Sequence, residues 1–157
     1  MLSLRSLLSI IVIIVFTIPA YAAGSDEEDT AETAKSDLTA AKEFIEAKRF
    51  KEAIPHLKRA RAADDDNADI HNWLGYSYRK IGKFEKSMKN YNRALELNSE
   101  HKGALEYKGE LYLQIGKLTE AKKLQAKLRQ ICPESCEELE DLNNAITAFE
   151  ATGEYSY

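Results

Sequence analysis

Apolar and small residues recur along this chain with a fixed spacing of 34 positions. In each recurrence the second and sixth positions hold small residues, and the third and fifth hold large apolar ones. The middle run is Leu74, Gly75, Tyr78, Gly82, Phe84, Ser87, Tyr91 and Ala94. The run 34 positions later is Lys108, Gly109, Tyr112, Gly116, Leu118, Ala121, Gln125 and Leu128, and the run 34 positions earlier is Ala40, Ala41, Phe44, Lys48, Phe50, Ala53, Leu57 and Ala60. A period of this length indicates a solenoid of helix pairs, whose apolar faces are buried only when neighbouring pairs stack.

The alternation of small and large residues has a direct steric meaning. Glycine or alanine lets a second helix approach closely, and the large residues fill the remaining gaps, as close-packed interiors require. Gly82 and Gly116 follow the first helix of their pairs, where a helix C-cap commonly needs a positive φ angle. We therefore expect a helix–helix turn at each of these glycines.

These positions resemble the tetratricopeptide repeat. The family places Leu-Gly and then an aromatic residue in its first helix, as in Leu74, Gly75 and Tyr78, and an aromatic residue before alanine in its second, as in Tyr91 and Ala94. The resemblance covers about 34–135 and implies an all-α, right-handed α-solenoid of three units, 34–67, 68–101 and 102–135.

Three departures from the family pattern stand out. Lys108 stands where leucine is usual, so we expect the first helix of the third unit to be less buried there. Asp65 and Ser99 replace the proline at the exit of the unit, which only Pro133 keeps.

The segment after the repeats has the pattern of one further helix. Leu139, Leu142, Ile146 and Phe149 are spaced for one helix face, and acidic residues crowd the first turn, where they favour the helix dipole. We predict a capping helix over 136–150 that covers the apolar face of the third unit, followed by a flexible tail over 151–157.

The first 22 residues are typical of a cleavable export signal. Arg5 precedes an apolar stretch, and Pro19 is followed by the small-x-small pattern that ends at Ala22. We predict cleavage after Ala22, a periplasmic or secreted mature protein, and no membrane association after cleavage; the alternative is a retained membrane anchor. Residues 23–33 are acidic and predict a disordered leader.

Composition limits the classes of partner and activity. The net charge of −4 argues against nucleic acid, which calls for a basic face. The chain has no phosphate-binding loop, no nucleophile–base pair and no histidine-rich metal pattern, so we predict neither an enzyme nor a protein with a metal or other cofactor.

The two cysteines, Cys132 and Cys136, lie four positions apart at a predicted turn between helices. Export implies an oxidising compartment, and this spacing is within reach of a disulfide that staples the last unit to the capping helix. Two alternatives remain open. One is disulfide exchange, and the other is copper carriage, since Cys-Pro-x-x-Cys is similar to the copper-binding loop of Sco-type copper chaperones.

The resemblance also implies where a partner binds, because the first helices of tetratricopeptide repeat units line a concave groove. The groove-facing positions include Glu106 and seven residues that we select as candidate partner contacts: Lys42, Asn72, Trp73, Tyr76, Arg79, Tyr107 and Glu110. Exposed tryptophan, tyrosine and arginine are typical of binding hot spots.

Some family members grip the C-terminal carboxylate of chaperones through lysine, asparagine and arginine. The matching positions here are Leu38, Lys42, Trp73, Gly103 and Tyr107, so that clamp is absent. We expect an exported interaction scaffold that binds a peptide segment or partner protein in the groove; the alternative is a thiol protein that acts through the Cys132–Cys136 turn.

Overall fold

A computed structural model describes the backbone of residues 25–155 and the side chains of residues 32–155. The predicted signal segment 1–22 and its cleavage site lie outside the described residues. The described chain is all-helical and consists of α1 (Ser25–Glu46), α2 (Phe50–Ala63), α3 (Ala68–Lys80), α4 (Phe84–Leu97), α5 (Lys102–Gln114), α6 (Leu118–Ile131) and α7 (Glu137–Thr152).

Consecutive helices pack as pairs, α1 with α2, α3 with α4, and α5 with α6, and each pair stacks on the next. The first helices also contact one another, α1 with α3 and α3 with α5, and α7 continues that row by packing on α5. One face of the stack is therefore formed by α1, α3, α5 and α7, and the opposite face by the second helices. The predicted helical solenoid is confirmed.

The turns inside the pairs follow the glycine pattern. Gly82 and Gly116 have φ angles of 71° and 74°, and the amide of the residue after each donates back to Tyr78 and Tyr112, at 2.8 Å and 2.7 Å. The same geometry recurs at Lys48, whose φ is 58° although it has a side chain. The predicted helix–helix turns at Gly82 and Gly116 are thus confirmed.

Glycines allow the closest helix contacts, but with different neighbours in different pairs. A Cβ atom on Gly75 would lie 2.5 Å from the Tyr91 ring of α4. A Cβ atom on Gly109 would lie 2.7 Å from Leu142 of α7. Gln125 occupies the position of Tyr91 in the third pair and donates to Asn143 at 2.7 Å, so α7 completes the packing that a tyrosine supplies in the second pair.

The capping helix covers the third pair as the apolar pattern predicts. Leu139, Leu142 and Ile146 are buried in a core cluster with residues of α5 and α6. The helix ends at Thr152 because the next residue, Gly153, has a left-handed backbone conformation with a φ of 74°. None of the helices within residues 25–155 combines the length and the apolar character that crossing a membrane requires.

Both chain ends differ from the expectations. Residues 25–33 of the predicted disordered leader belong to α1, which begins at Ser25. In the predicted flexible tail over 151–157, the first residues form the last turn of α7. The ring of Tyr155 packs against the same core cluster as α7.

Candidate binding groove

The face formed by α1, α3, α5 and α7 contains two adjoining cavities, which share Glu106, Tyr107 and Asp141. The central cavity has a volume of about 280 Å³ and lies between α1, α3, α5 and the first turns of α7. The distal cavity has a volume of about 460 Å³ and lies between α3, α5 and the C-terminal half of α7. Together they form the groove.

An aromatic cluster lies along the groove, contributed by α3 and α5. The ring of Tyr76 lies 4.7 Å from that of Tyr107 and meets that of Trp73 edge-on at 5.8 Å. All three side chains are half-buried, and Lys42 of α1 places its Nζ atom 5.8 Å from the Trp73 ring. Ring-to-ring contacts of this kind hold the rings in fixed positions before any partner arrives.

Arg79 is buried and not exposed as a hot-spot residue would be, since only 1 % of its surface is accessible. Its guanidinium forms an ion pair with Glu110 of α5, donates to the Tyr155 hydroxyl at 3.3 Å, and lies over the rings of Tyr76 and Tyr107. Although burial opposes it, the negative charge of Glu110 contributes to holding the pKa of Arg79 above its usual value. Arg79 therefore acts as a fixed positive charge that orders the groove.

Glu106 is the most unusual side chain in the groove. It is 6 % exposed, lines both cavities, and forms no hydrogen bond or ion pair with any side chain of residues 32–155. Burial, together with the nearby carboxylates of Glu110, Asp141 and Glu138, raises its pKa to about 9. The ionised form of this carboxyl group is therefore disfavoured until a positive charge lies beside it.

Asn72 supplies a polar atom at the α3–α5 side of the central cavity. The residue is 3 % exposed, and its Oδ1 atom has no hydrogen-bond partner among the described residues. The side chain packs on Gly103, where an added Cβ atom would lie 3.3 Å from Nδ2. A buried amide oxygen without a partner is energetically unfavourable, so Asn72 has the capacity to accept a hydrogen bond from a ligand.

A histidine fixes the neighbouring junction of the second and third pairs. His101 caps α5 by accepting the Ala104 amide at Nδ1, at 3.1 Å. Because Nδ1 accepts, Nε2 carries the proton and donates to Asp69 of α3 at 2.9 Å. This bond sets the spacing of α3 and α5, and hence the width of the central cavity.

The structure brings all seven predicted contact residues to the groove. Lys42, Asn72, Trp73 and Tyr107 line the central cavity, and Tyr76, Arg79, Tyr107 and Glu110 line the distal one. The selection omitted Glu106, although its position is groove-facing, and the α7 residues Glu138 and Asp141. A stripe at helical spacing, Glu138, Asp141, Ala145 and Ala148, lies beside the buried face of α7 and signals the side that faces the groove.

The two cysteines lie at the α6–α7 turn and line neither cavity of the groove. Their sulfur atoms are within bonding distance and their Cα atoms are 5.8 Å apart. Cys132 is buried and Cys136 packs against the core cluster beneath α7. Within the described residues, no group of three or more histidine, cysteine or acidic side chains is placed to hold a metal ion.

A larger cleft lies on the opposite face, lined mainly by α4 with residues of α2 and α3. Its volume is about 1130 Å³, and it is bordered by basic side chains such as Lys58, Lys86 and Lys89. Its charged side chains are largely solvated, and several pair with close neighbours, as Arg93 does with Asp66 at 2.8 Å. We call it the convex cleft.

Comparison with known proteins places the chain among helical repeat domains. Residues 68–101 match the family model of the tetratricopeptide repeat. No curated protein matches the chain in sequence.

Solved structures of the same architecture include the first TPR of Spaghetti (RPAP3) bound to the HSP90 peptide SRMEEVD, with 22 % identity over 78 % of this chain and 96 % of that chain and a TM-score of 0.67. The second TPR domain of human RPAP3, in complex with the HSP70 peptide SGPTIEEVD, is 25 % identical over 77 % and 98 % of the chains, with a TM-score of 0.64. The Yersinia enterocolitica type III secretion translocator chaperone SycD is 16 % identical over 79 % and 94 %, with a TM-score of 0.68.

Proposed function

We propose that this chain, whose residues 68–101 match the tetratricopeptide repeat, binds an extended peptide segment of a partner protein in the groove formed by α1, α3, α5 and α7. The observation that carries the proposal is the unpartnered Oδ1 atom of the buried Asn72, which lies beside a preformed aromatic cluster. Two of the similar structures named above hold peptides, which supports the same use of the fold here.

The groove offers complementary contacts for the two parts of a peptide. Asn72 accepts a hydrogen bond from a backbone N–H, which is independent of the peptide sequence. Trp73, Tyr76 and Tyr107 provide apolar surface for side chains, and rings held by one another lose little conformational freedom on binding. The Arg79–Glu110 ion pair holds α3 against α5, so the contacts remain in register.

The proposed role assigns no chemistry to Cys132 and Cys136 beyond stapling α6 to α7. The arrangement that supports this role is the proximity of the two sulfur atoms and the burial of Cys132. The staple fixes α7, which supplies one wall of the groove.

The place of action in this proposal is the periplasm or the exterior, because the N-terminal segment has the pattern of an export signal. The mass of the chain recovered from its native compartment tests this part. We expect a protein that begins at Ala23, whereas a chain that retains residues 1–22 would contradict cleavage.

Selection from a random library of phage-displayed 12-residue peptides tests the binding function. The purified chain should enrich a family of sequences, and a variant with Asn72→Ala and Tyr107→Ala should lose them. The matched control, Lys86→Ala with Lys89→Ala in the convex cleft, should keep them. Failure to enrich any sequence, or loss of binding in the control alone, would contradict the proposal.

A further inference from the structure

We infer that the peptide held in the groove carries an arginine or lysine side chain, which enters the central cavity and pairs with the carboxylates of Glu106, Glu138 and Asp141. This inference rests on the proposed function and adds the chemistry of the partner. It concerns the central cavity, because the distal cavity contains its own cations, Arg79 and Lys80.

The central cavity has a large excess of negative charge. Five acidic side chains line it, Asp69, Glu106, Glu137, Glu138 and Asp141, against a single lysine, Lys42. Asp69 is bound by His101, but the other four form no ion pair within residues 32–155.

One of these acids, Glu106, is buried and so differs from an ordinary solvated carboxylate. Glu106 is only 6 % exposed, and no side chain of residues 32–155 forms a hydrogen bond or ion pair with its carboxyl group. Placing an acid there without a partner is costly, and a cation that enters the cavity from a ligand would supply the missing pair. The same cation would then interact with Glu138 and Asp141, which lie close enough to Glu106 to raise its pKa.

A second, independent feature points to a ligand in the same cavity. The Oδ1 atom of Asn72, on α3, is buried and has no partner among the described residues, and Asn72 lines the same cavity as the α7 acids. Trp73 and Tyr107, which also line the cavity, offer ring faces, and guanidinium groups stack on such rings. An arginine of a bound peptide can therefore pair with the acids, stack on the rings and, through a backbone N–H group, donate a hydrogen bond to Asn72.

The charge of the cavity also excludes an acidic occupant. A peptide rich in glutamate would bring like charges against Glu137, Glu138 and Asp141, which form no ion pair within residues 32–155, and like-charge contacts weaken binding. The peptides in the two RPAP3 structures, SRMEEVD and SGPTIEEVD, contain such acidic ends. The groove of this chain is thus suited to the opposite class of sequence.

The composition of the peptides selected from the random 12-residue library is the first test. We expect arginine and lysine to be enriched over the unselected library, with at least one basic position common to the binders. Enrichment of neutral or acidic peptides would overturn the inference while leaving the proposed function intact. If nothing is enriched, both fail.

The second test compares the best-binding peptide with a twin in which the common basic residue is replaced by citrulline or norleucine, which keep its length and remove its charge. Fluorescence of Trp73, the only tryptophan in the chain, reports the titration. We expect the neutral twin to bind at least about tenfold more weakly, as the loss of a charge-assisted hydrogen bond predicts.

Charge variants of the full chain locate the effect. In the variant Glu106→Gln with Asp141→Asn, the charged peptide and its twin should bind with nearly equal affinity. The control variant Glu85→Gln with Glu96→Gln removes two acidic side chains from the convex cleft and should keep the tenfold preference. If both variants lost the preference for the charged peptide equally, the preference would come from overall charge and the inference would be overturned. If the Glu106→Gln, Asp141→Asn variant kept the full preference, the inference would also be overturned.

Discussion

The groove and the convex cleft differ in how far their charged side chains are exposed to solvent. The convex cleft is the larger, at about 1130 Å³ against about 280 and 460 Å³ for the two cavities of the groove. Its ion pairs are exposed. In the pair of Arg93 with Asp66, for example, the Arg93 side chain is 38 % accessible to solvent and the Asp66 side chain is 85 % accessible. In the groove the side chain of Arg79 is 2 % accessible and Glu106 lacks a partner. The smaller cavities therefore hold the more strongly interacting charges.

Desolvation, more than volume or the number of charges, therefore distinguishes the groove from the convex cleft. An exposed pair is screened by water and contributes little, whereas a buried charge interacts strongly with whatever lies beside it. A buried charge that lacks a partner is unfavourable until a ligand supplies one. Stability measurements on charge variants of the two faces test this difference.

The largest effect is expected for Glu110→Gln, which removes the charge that pairs with Arg79. The guanidinium stays buried without a counter-ion, so the free energy of unfolding should fall by about 3 kcal/mol in urea denaturation. The control, Asp66→Asn in the exposed pair with Arg93, should lower it by less than about 0.5 kcal/mol. Equal effects would remove the distinction between the faces.

The next effect is expected for the disulfide between Cys132 and Cys136, which fixes α7. This helix supplies the acidic wall of the groove and does not line the convex cleft. Closing a loop of this size stabilises by about 2 kcal/mol on the chain-entropy model, so reductant should lower the free energy of unfolding by that amount. A variant with Cys132→Ala and Cys136→Ala should not respond to reductant. Two reactive thiols per chain in protein taken from its native compartment would contradict the staple.

Glu106→Gln should be more stable than the natural chain at pH 7, by at least about 1 kcal/mol, because pH 7 lies above the ordinary pKa of 4.5 and below the raised value of about 9. Burial and the carboxylates of Glu110, Asp141 and Glu138 raise the pKa of Glu106 from 4.5 to about 9, while Arg79 opposes the shift. The folded state therefore binds a proton more tightly than the unfolded state.

The sign of the pH dependence follows from that difference. The contribution of Glu106 to stability is fully present below pH 4.5 and is lost as the pH rises towards about 9, so the advantage of the glutamine variant should grow across that window. Urea denaturation at several pH values measures it, with Glu96→Gln on the exposed face as the control that should not change the slope. A constant difference between variant and natural chain from pH 5 to pH 9 would contradict the assignment.

The smallest effect is expected at a turn that joins the two faces. Lys48 adopts a φ of 58° where Gly82 and Gly116 occupy the same position in the other pairs. Lys48→Gly relieves the strain of a side chain in the left-handed region, and thermal unfolding should show a gain of about 0.5 kcal/mol. Gly82→Ala, the reverse change at the equivalent site, should lower stability; a gain there would contradict the account of the turns.

The sequence predicts the repeating helices well because their signals are local. Small residues such as Gly75 and the turn glycines Gly82 and Gly116 must occupy fixed positions wherever the pairs form. The burial of Arg79 could not be read in this way, because it depends on Tyr155, which lies 76 positions further along the chain. The raised pKa of Glu106 depends likewise on α7, whose role as a groove wall follows only from the stacking of α7 on α5.

The most direct test of the central claim is amide chemical-shift mapping of the isotope-labelled full chain during titration with the best-binding library peptide. We predict the largest shifts in α3, α5 and α7, at Asn72, Trp73, Tyr107 and Asp141, with small changes in α2, α4 and α6. Shifts concentrated instead along α4 in the convex cleft, at Lys86 and Lys89, would contradict the assignment of binding to the groove.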